Sequence, residues 1–402
     1  MLFTLEALQA NDGDCLILHY QKTAAGQPTR VLIDGGSAGV YSSILKKRID
    51  QLRAKKPLDL RMVMTSHIDA DHITGVLDLF KALGQAQDDG EEPFCKIQTL
   101  WHNSFEKLHG GKTAAVQSAT VAASLDGVAP PQGLNDFTSA VVASVPQGNQ
   151  LRKAATHITV PINQGSGGDP VSAPAKGQKI VPIADGLTFT ILAPNAVQLQ
   201  RLKDAFDAAK AAHGANDAAV GADYLNNTVP NMSSIVVVAE AAGAKGKKVR
   251  MLLSGDARGD VILESLQLAG LMDKGHCHFD LMKVQHHCSS HSTTQDFFEK
   301  VTADHYVISG NGKHDIPHKD ALGWLSAARH GESYDAYLTN RIGVLKNKAV
   351  LDKFLASEAK NEKKHVYHFR GEKDLSISVP LGRPRFAVTS EGIALTVRAF
   401  DS

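Results

Sequence analysis

The sequence predicts an α/β protein, and three strand-to-helix junctions carry that prediction. An apolar run, Met62-Val63-Met64, gives way at Thr65-Ser66-His67-Ile68-Asp69-Ala70-Asp71-His72 to an amphipathic run from Ile73 to Phe80. A second buried run, Val249 to Leu253, ends in Ser254-Gly255-Asp256 ahead of a helical stretch from Val261 to Gly270. A third, Asp304 to Gly312, leads through Lys313-His314-Asp315-Ile316-Pro317-His318 into another helix. In open α/β sheets ligands bind at the carboxyl ends of strands, which is where such junctions lie.

Taken in order, residues 1–35 read as short strands. Leu2 to Leu8 is followed by an Asn11-Asp12-Gly13-Asp14 turn, then Cys15 to Tyr20, then Arg30 to Gly36. Asp14 and Asp34 are expected as turn residues, with Asp14 able to orient a site from behind it. A charged helix from Tyr41 to Lys56 stops at Pro57. Its Lys46, Lys47, Arg48, Arg53, Lys55 and Lys56 read as a solvated face, with contact to an anionic substrate as the sharper alternative.

The stretch from His67 to His72 crowds four metal-capable side chains onto one turn. Carboxylates and imidazoles both bind zinc, manganese and iron. Neighbouring residues point apart, so the four suit two ions a few ångströms apart better than one. Helix capping would account for one aspartate and for neither histidine.

Ile97 to Ser104 reads as a strand carrying His102. From Phe105 to about Ile180 the composition turns to Ala, Ser, Gly and Gln, with helical stretches near Thr113–Ala123 and Asp136–Ala154 and a loop at Asn163–Pro170. This reads as an insertion placed to act as a lid, and His109 and His157 within it are expected at the surface. A strand from Gly186 to Ala193, a helix from Asn195 to His213 and a strand at Ile235–Ala239 follow. His276 and His278 flank Cys277 just ahead of a strand and read as surface residues. Leu281 to Val284 precedes Gln285-His286-His287-Cys288-Ser289, where either imidazole could be a ligand. Beyond about Ala349 the runs Val366–Phe369, Leu375–Val379 and Ile393–Val397 are expected to add β structure or a dimer contact.

The segment His67-Ile68-Asp69-Ala70-Asp71-His72 resembles the His-x-His-x-Asp-His signature of the metallo-β-lactamase fold. Its His-x-Asp-x-Asp-His form is similar to the metal-binding domain of ComEC-type competence proteins and their soluble relatives. Gly13-Asp14, Ile33-Asp34-Gly35-Gly36, Ser254-Gly255-Asp256 and Lys283 with His286-His287-Cys288-Ser289 extend the likeness. Cys288 stands where those relatives carry Gly, and Pro317-His318 where they carry His-Pro.

The resemblance implies a four-layer αββα sandwich over residues 1–345, with about 105–180 inserted and 346–402 as a β-rich extension. It implies a dinuclear centre: His67, Asp69 and His102 on the first ion, Asp71, His72 and His286 on the second, and Asp256 between them. His287 would then stand close to the substrate, Asp71 would take up a proton, and His318 would contact the substrate. Zinc or manganese is expected, with iron as a further choice, because Asp69 adds a hard oxygen where a histidine normally stands. The activity implied is attack by a hydroxide lying between the ions on a phosphodiester, in nucleic acid or in a nucleotide. Hydrolysis of a lactone, lactam or thioester is the alternative and predicts an apolar pocket rim. A metal-binding subunit acting through a protein partner is the third reading.

Composition bounds these readings. Over 402 residues, 43% hydrophobic and 21% charged content is that of an ordinary globular chain. A formal net charge of +1 excludes a uniformly basic coat, so any nucleic-acid contact has to be local. The 4 cysteines form no CxxC pair and fit a reducing compartment. The first residues lack the basic and apolar regions of a signal peptide, and no run approaches the ~20 apolar residues of a membrane span. The expectation is a cytoplasmic protein without membrane contact.

Overall fold

The computed structural model describes all residues except 24–25, 54, 105–135, 214–232, 244–245, 341–344, 362–363, 372–373 and 382–402. Within them the chain is a mixed α/β protein with two large sheets. The first sheet takes β1 (Leu2–Leu8), β2 (Leu16–Gln21), β3 (Thr29–Ile33), β5 (Met62–Thr65) and β7 (Leu100–His102), while β4 (Leu58–Leu60) and β6 (Cys95–Ile97) pair separately. The second sheet takes β8 (Lys179–Ala184), β9 (Leu187–Ala193), β10 (Val236–Ala242), β11 (Lys248–Leu253), β12 (Cys277–Lys283), β13 (Val301–Ile308), β14 (Tyr334–Leu338) and β15 (His365–Phe369). A last strand, β16 (Ser376–Pro380), returns to the first sheet beside β1.

Each sheet starts antiparallel and becomes parallel. Hairpin neighbours β1–β2–β3 are antiparallel, whereas β3, β5 and β7 run parallel. Likewise β8 to β11 alternate in direction and β11 to β15 are parallel. Parallel neighbours need a crossover, and helices supply it. Preceded by a π-helical turn at Tyr41–Leu45, α1 (Lys46–Arg53) leads towards β4 and β5, and α2 (Ala70–Asp88) follows β5. Then come α3 (Asp136–His157) and α4 (Ala196–His213). Between the later strands lie α5 (Gly259–Leu268), α6 (Gln295–Lys300), α7 (Lys319–Ala328) and α8 (Lys348–Asn361).

Alternate strand residues feed different cores, as the two-residue period of a strand requires. Val31 and Ile33, Met62 and Met64, Met251 and Leu253, Leu281 and Val307 share one apolar cluster drawn from both sheets. Leu32, Val63 and Leu100 belong to a second cluster with Ile49, Val76, Phe80 and Leu151 of α1, α2 and α3. Leu252, Met282 and Ile308 belong to a third with Ile262, Phe298, Leu322 and Leu351 of α5 to α8. The parallel strands are thus buried on both faces, which is why they read as unbroken apolar runs.

The segment after residue 345 supplies α8 and one edge strand to each sheet, β15 beside β14 and β16 beside β1. The strand expected at 393–397 and the helix expected near 113–123 lie outside the described residues. The described part of the 105–180 stretch packs on α2 and β7: Gln147 faces Thr74, and Asn163 brackets the backbone of His102. Among the described residues no helix is long and apolar enough to cross a membrane.

The basic run expected as a solvated face on the first helix is divided: Lys47, Lys55 and Lys56 are exposed, whereas the other three have acidic partners. Arg48 is buried against Glu6, and Lys46 and Arg53 pair with Asp50. Solvent or substrate contact through Arg48 is therefore excluded.

Candidate metal centre

Five strand ends meet at one place. β3 runs out into Asp34, β5 into Ser66 to Asp71, β11 into Asp256, β12 into His286 and His287, and β13 into Ser309. Asp14 joins them just before β2, because an antiparallel neighbour begins where β3 ends. Glycine lets these turns close on each other: a Cβ on Gly255, whose φ is +50°, would stand 2.9 Å from Ser66 Cβ. After β12 the chain turns through three successive left-handed residues, His286, His287 and Cys288 (φ 46°, 53° and 66°), which swings both imidazoles inward.

Helix capping does not use these carboxylates. Asp69 is the N-cap of α2 by position, yet its side chain accepts no hydrogen bond from the helix. Arg258, not Asp256, holds the N-cap position of α5.

Asp256 is the hub. Its Oδ2 lies 3.4 Å from His72 Nε2 and 3.4 Å from His287 Nε2, with His286 Nε2 at 3.8 Å and His67 Nε2 at 3.9 Å. Asp71 Oδ2 lies 3.6 Å from His72 Nε2 and 3.4 Å from His287 Nε2. Beside the hub, Asp69 Oδ2 is 3.4 Å from His67 Nε2. One ligand atom each from Asp71, His72, Asp256 and His287 fits within a mutual 4.8 Å.

Behind the histidines is a second tier. His72 Nδ1 lies 2.9 Å from Asp34 Oδ2, and His67 Nδ1 lies 3.0 Å from Ser66 Oγ. His287 Nδ1 lies 2.7 Å from Ser309 Oγ, which itself donates to Asp14. His286 Nδ1 is 2.6 Å from Ser292 Oγ. Asp14, Asp34 and His72 Nδ1 also cluster closely, but Lys283 Nζ stands 2.6 Å from Asp14 Oδ2, so this rear pocket already has its cation.

The inner atoms are suited to a metal. His67 Nε2, His72 Nε2, His287 Nε2, Asp69 Oδ1 and Asp256 Oδ1 are buried without a hydrogen-bond partner. Protein interiors rarely leave polar atoms so. Separations near 3.4 Å also match two ligands sharing a tetrahedral ion at roughly 2.1 Å. Charge tells the same story. Burial alone would raise the Asp256 carboxyl, but the His287, His72 and His286 imidazoles hold it well below the usual carboxylate range. Burial alone would lower His287, but the Asp256 and Asp14 carboxylates push it up to about 9. A cation at the hub would replace protons on these imidazoles.

The sequence-predicted ligands divide into those brought together and one left out. His67, Asp69, Asp71, His72, Asp256, His286 and His287 converge. Of the adjacent histidines, His287 groups with Asp71, His72 and Asp256, while His286, expected on the second ion, stands nearer the surface with its Nε2 3.8 Å from Asp256 Oδ2. His102 does not join the cluster. Its ring lies against Gly148 of α3 and beside Ile68, and burial, then Arg152, pulls it down to about 3. His318 stands at the start of α7, where its Nδ1 accepts from the Ser290 backbone N–H at 2.9 Å and its Nε2 lies 3.0 Å from the His314 carbonyl, so that its ring links two loops.

Cys288 is no ligand either, since its side chain lies in the helix-side core and burial pushes the thiol up to about 12. His157 is exposed on Asp88, and His276 and His278 are exposed, as their sequence positions suggest; His109 lies outside the described residues. Residues that sequence reasoning underrated are Asp34, Ser66, Ser309 and Lys283. Only the Ile-Asp-Gly-Gly and Lys-x-x-His-His patterns hinted at two of them. No protein-family model and no curated protein matches the chain.

Proposed function

We propose that the protein is a metal-dependent hydrolase with the four-layer αββα architecture of the metallo-β-lactamase fold, and that its substrate is a phosphodiester. Three apolar clusters, one drawn from both sheets and one between each sheet and its helices, support the architecture. The observation that carries the chemistry is the set of buried, unpartnered imidazole and carboxylate atoms around Asp256. Asp71, His72, His287 and Asp256 would hold one divalent ion. His67 and His286, each within 4 Å of Asp256 Oδ2, and Asp69 beside His67 are the residues that would hold a second, with His102 dropping out of the set first expected. Zinc, manganese or iron suits such donors. When bound, the ions supply Lewis acidity and offset the negative charge of a phosphate.

The chain's own residues define how a substrate arrives. Side-chain exposure is 29% for Asp71, 17% for His286 and 12% for Asp69, against 4% or less for His67, His72, Asp256 and His287. Substrate therefore approaches past Asp71, His286 and Asp69. Asp71 combines access with a position beside the hub; burial would raise its carboxyl, but His72 and His287 hold it well below the usual carboxylate range, so it would serve as a ligand rather than as the proton acceptor first expected. Two carboxylates at the mouth would repel a phosphate, so binding should depend on the metal.

The test loads purified protein with Mn²⁺ or Zn²⁺ and assays single-stranded DNA, double-stranded DNA, RNA and bis-p-nitrophenyl phosphate, with a lactone and a thioester beside them. Metal-dependent phosphodiester cleavage, lost together with bound metal in Asp256→Ala and His287→Ala, is the expected result. Turnover of the lactone or thioester alone would overturn the substrate class. Failure of the wild type to bind either metal would overturn the centre.

A further inference from the structure

His67, His72 and His287 each turn Nε2 toward the hub and Nδ1 toward a hydroxyl or carboxylate. We propose that two buried carboxylates, Asp14 and Asp34, keep a proton on Nδ1 of all three rings, leaving Nε2 as the only nitrogen offered to the centre. The purpose of this device rests on the metal-centre reading; its logic rests on which atoms can donate.

For His287 the series of donors begins at Lys283. A lysine ammonium only donates, and an ionised carboxylate only accepts. Lys283 Nζ stands 2.6 Å from Asp14 Oδ2, so Asp14 is held as an acceptor. Ser309 donates its hydroxyl proton to Asp14 Oδ1. A serine hydroxyl has one proton, and it is now committed. Toward His287 Nδ1, at 2.7 Å, Ser309 Oγ can only accept. Nδ1 therefore carries a proton.

Asp34 governs the other two rings. Its Oδ1 accepts the Ser66 backbone N–H at 2.7 Å and its Oδ2 the Ser66 hydroxyl at 2.7 Å. With that proton committed, Ser66 Oγ accepts from His67 Nδ1 at 3.0 Å. His72 Nδ1 donates directly to Asp34 Oδ2 at 2.9 Å. One carboxylate thus sets two rings tilted by 49° with centroids 4.1 Å apart, one through a serine and one without. Ser66 and Ser309 are positioning residues, and each relays the polarity of an aspartate that never reaches the hub. Such outer partners fix ring tautomer and orientation in metal sites generally.

The experiment labels the full chain with [¹⁵N]histidine and reads the ring N–H signals, at alkaline pH without metal and again with Zn²⁺ bound. Expected are Nδ1–H signals from His67, His72 and His287 in both states. A wild-type ring with Nε2–H and a bare Nδ1 at any of the three would overturn the proposal. Asp14→Asn supplies the inverse. Its amide oxygen must face Lys283, so its N–H faces Ser309, whose proton then turns to His287 and moves the ring proton to Nε2. Zn²⁺ affinity should fall about 10- to 100-fold, with His67 and His72 unchanged.

If Asp14→Asn does not fold, Ser309→Ala and Ser309→Thr decide the matter. Alanine should speed exchange of the His287 Nδ1–H alone, and threonine should restore it. An unchanged His287 signal in Ser309→Ala would overturn the inference. A wild type that shows the expected ring protons yet binds no Zn²⁺ supports the tautomer inference while removing the metal reading.

Discussion

At position 288 a cysteine occupies backbone better suited to glycine. Its φ is +66° and it ends a run of three left-handed residues that turns His286 and His287 inward. A non-glycine residue there carries a strain of roughly 1–2 kcal/mol. Its buried side chain offsets part of this by packing in the helix-side core. Two truncations separate the terms. Cys288→Ala loses the packed sulfur and keeps the strain, whereas Cys288→Gly loses slightly more packing and sheds the strain. Glycine is normally the less stable of the two by roughly 0.5–1 kcal/mol; here urea unfolding should show it equal or better by about 1 kcal/mol. The usual order would mean the turn is not left-handed. Sequence reading found the departure from glycine but could not say where the sulfur points. The same limit applies to Asp34. It sits in a turn with φ +58°, as an Asp-Gly pair suggests, but its partners Ser66 and His72 come from a strand end and helix more than thirty positions later.

Among elements, α2 matters most because its first turn carries Asp71 and His72. Its apolar face packs in the core, and its first turns are also seated directly by backbone. Gly35 N donates to His72 O at 2.8 Å and Gly75 N to Gly36 O at 3.1 Å. A Cβ on Gly75 would stand 2.0 Å from Gly35 O, so the helix cannot keep its seat if one is added. Gly75→Ala should destabilise by about 1–3 kcal/mol, as overpacking does, and weaken Zn²⁺ binding at the same time. Gly84→Ala on the same helix is the control, because its Cβ would meet side chains alone, the movable His157 ring at 3.1 Å and Ile158 at an ordinary 3.8 Å. There the better helix propensity of alanine, up to about 1 kcal/mol, should show with Zn²⁺ affinity intact. Thermal melts with and without the metal distinguish the two; equal losses in both variants would show that the Gly35–Gly75 approach does not seat the helix. The strand-turn-helix at this place was legible because apolar runs change period from two to 3.6 across it. The close approach was not, since a glycine inside an amphipathic helix looks like a weak spot until its neighbour is known. His102 shows the converse. It ends a strand as expected, yet α3 of the inserted stretch lies over its ring, and nothing local in the sequence announces that contact.

Across the whole molecule, the first sheet is tied together at one buried carboxylate. Glu6 of β1 meets Arg48 of α1 at 2.7 Å and His19 of β2 at 2.8 Å, and accepts the Ser376 hydroxyl of β16 at 2.6 Å. The chain's beginning, its first helix and its last described strand therefore share one ionised group. None of this was legible, because the partners are separated by up to 370 positions and each alone resembles an ordinary surface residue. Burial would raise the Glu6 carboxyl, but His19, Arg48 and Ser376 bring it down to about 2 from 4.5. Its folded pKa lies below its unfolded one, so its contribution is complete above pH 4.5 and is lost as pH falls toward 2. The size is on the order of 3 kcal/mol for such a shift. His19 adds to the same slope: burial lowers it below 6.5, so stability falls once the unfolded imidazole takes a proton below that pH. Any metal held at the candidate centre would be released in acid too, so the comparison belongs in EDTA between wild type and Glu6→Gln. At neutral pH the variant leaves Arg48 buried without its anion and should be less stable by about 3–5 kcal/mol. Between pH 4.5 and 3 that gap should narrow, because the unfolded wild type takes up a proton on Glu6 that the folded protein, ionised there down to about pH 2, does not, and glutamine has no such proton to gain. Urea midpoints at a series of pH values read the gap directly. Curves that stay parallel through that range would mean Glu6 keeps no special charge in the folded protein, and that the sheet edge is held by packing alone.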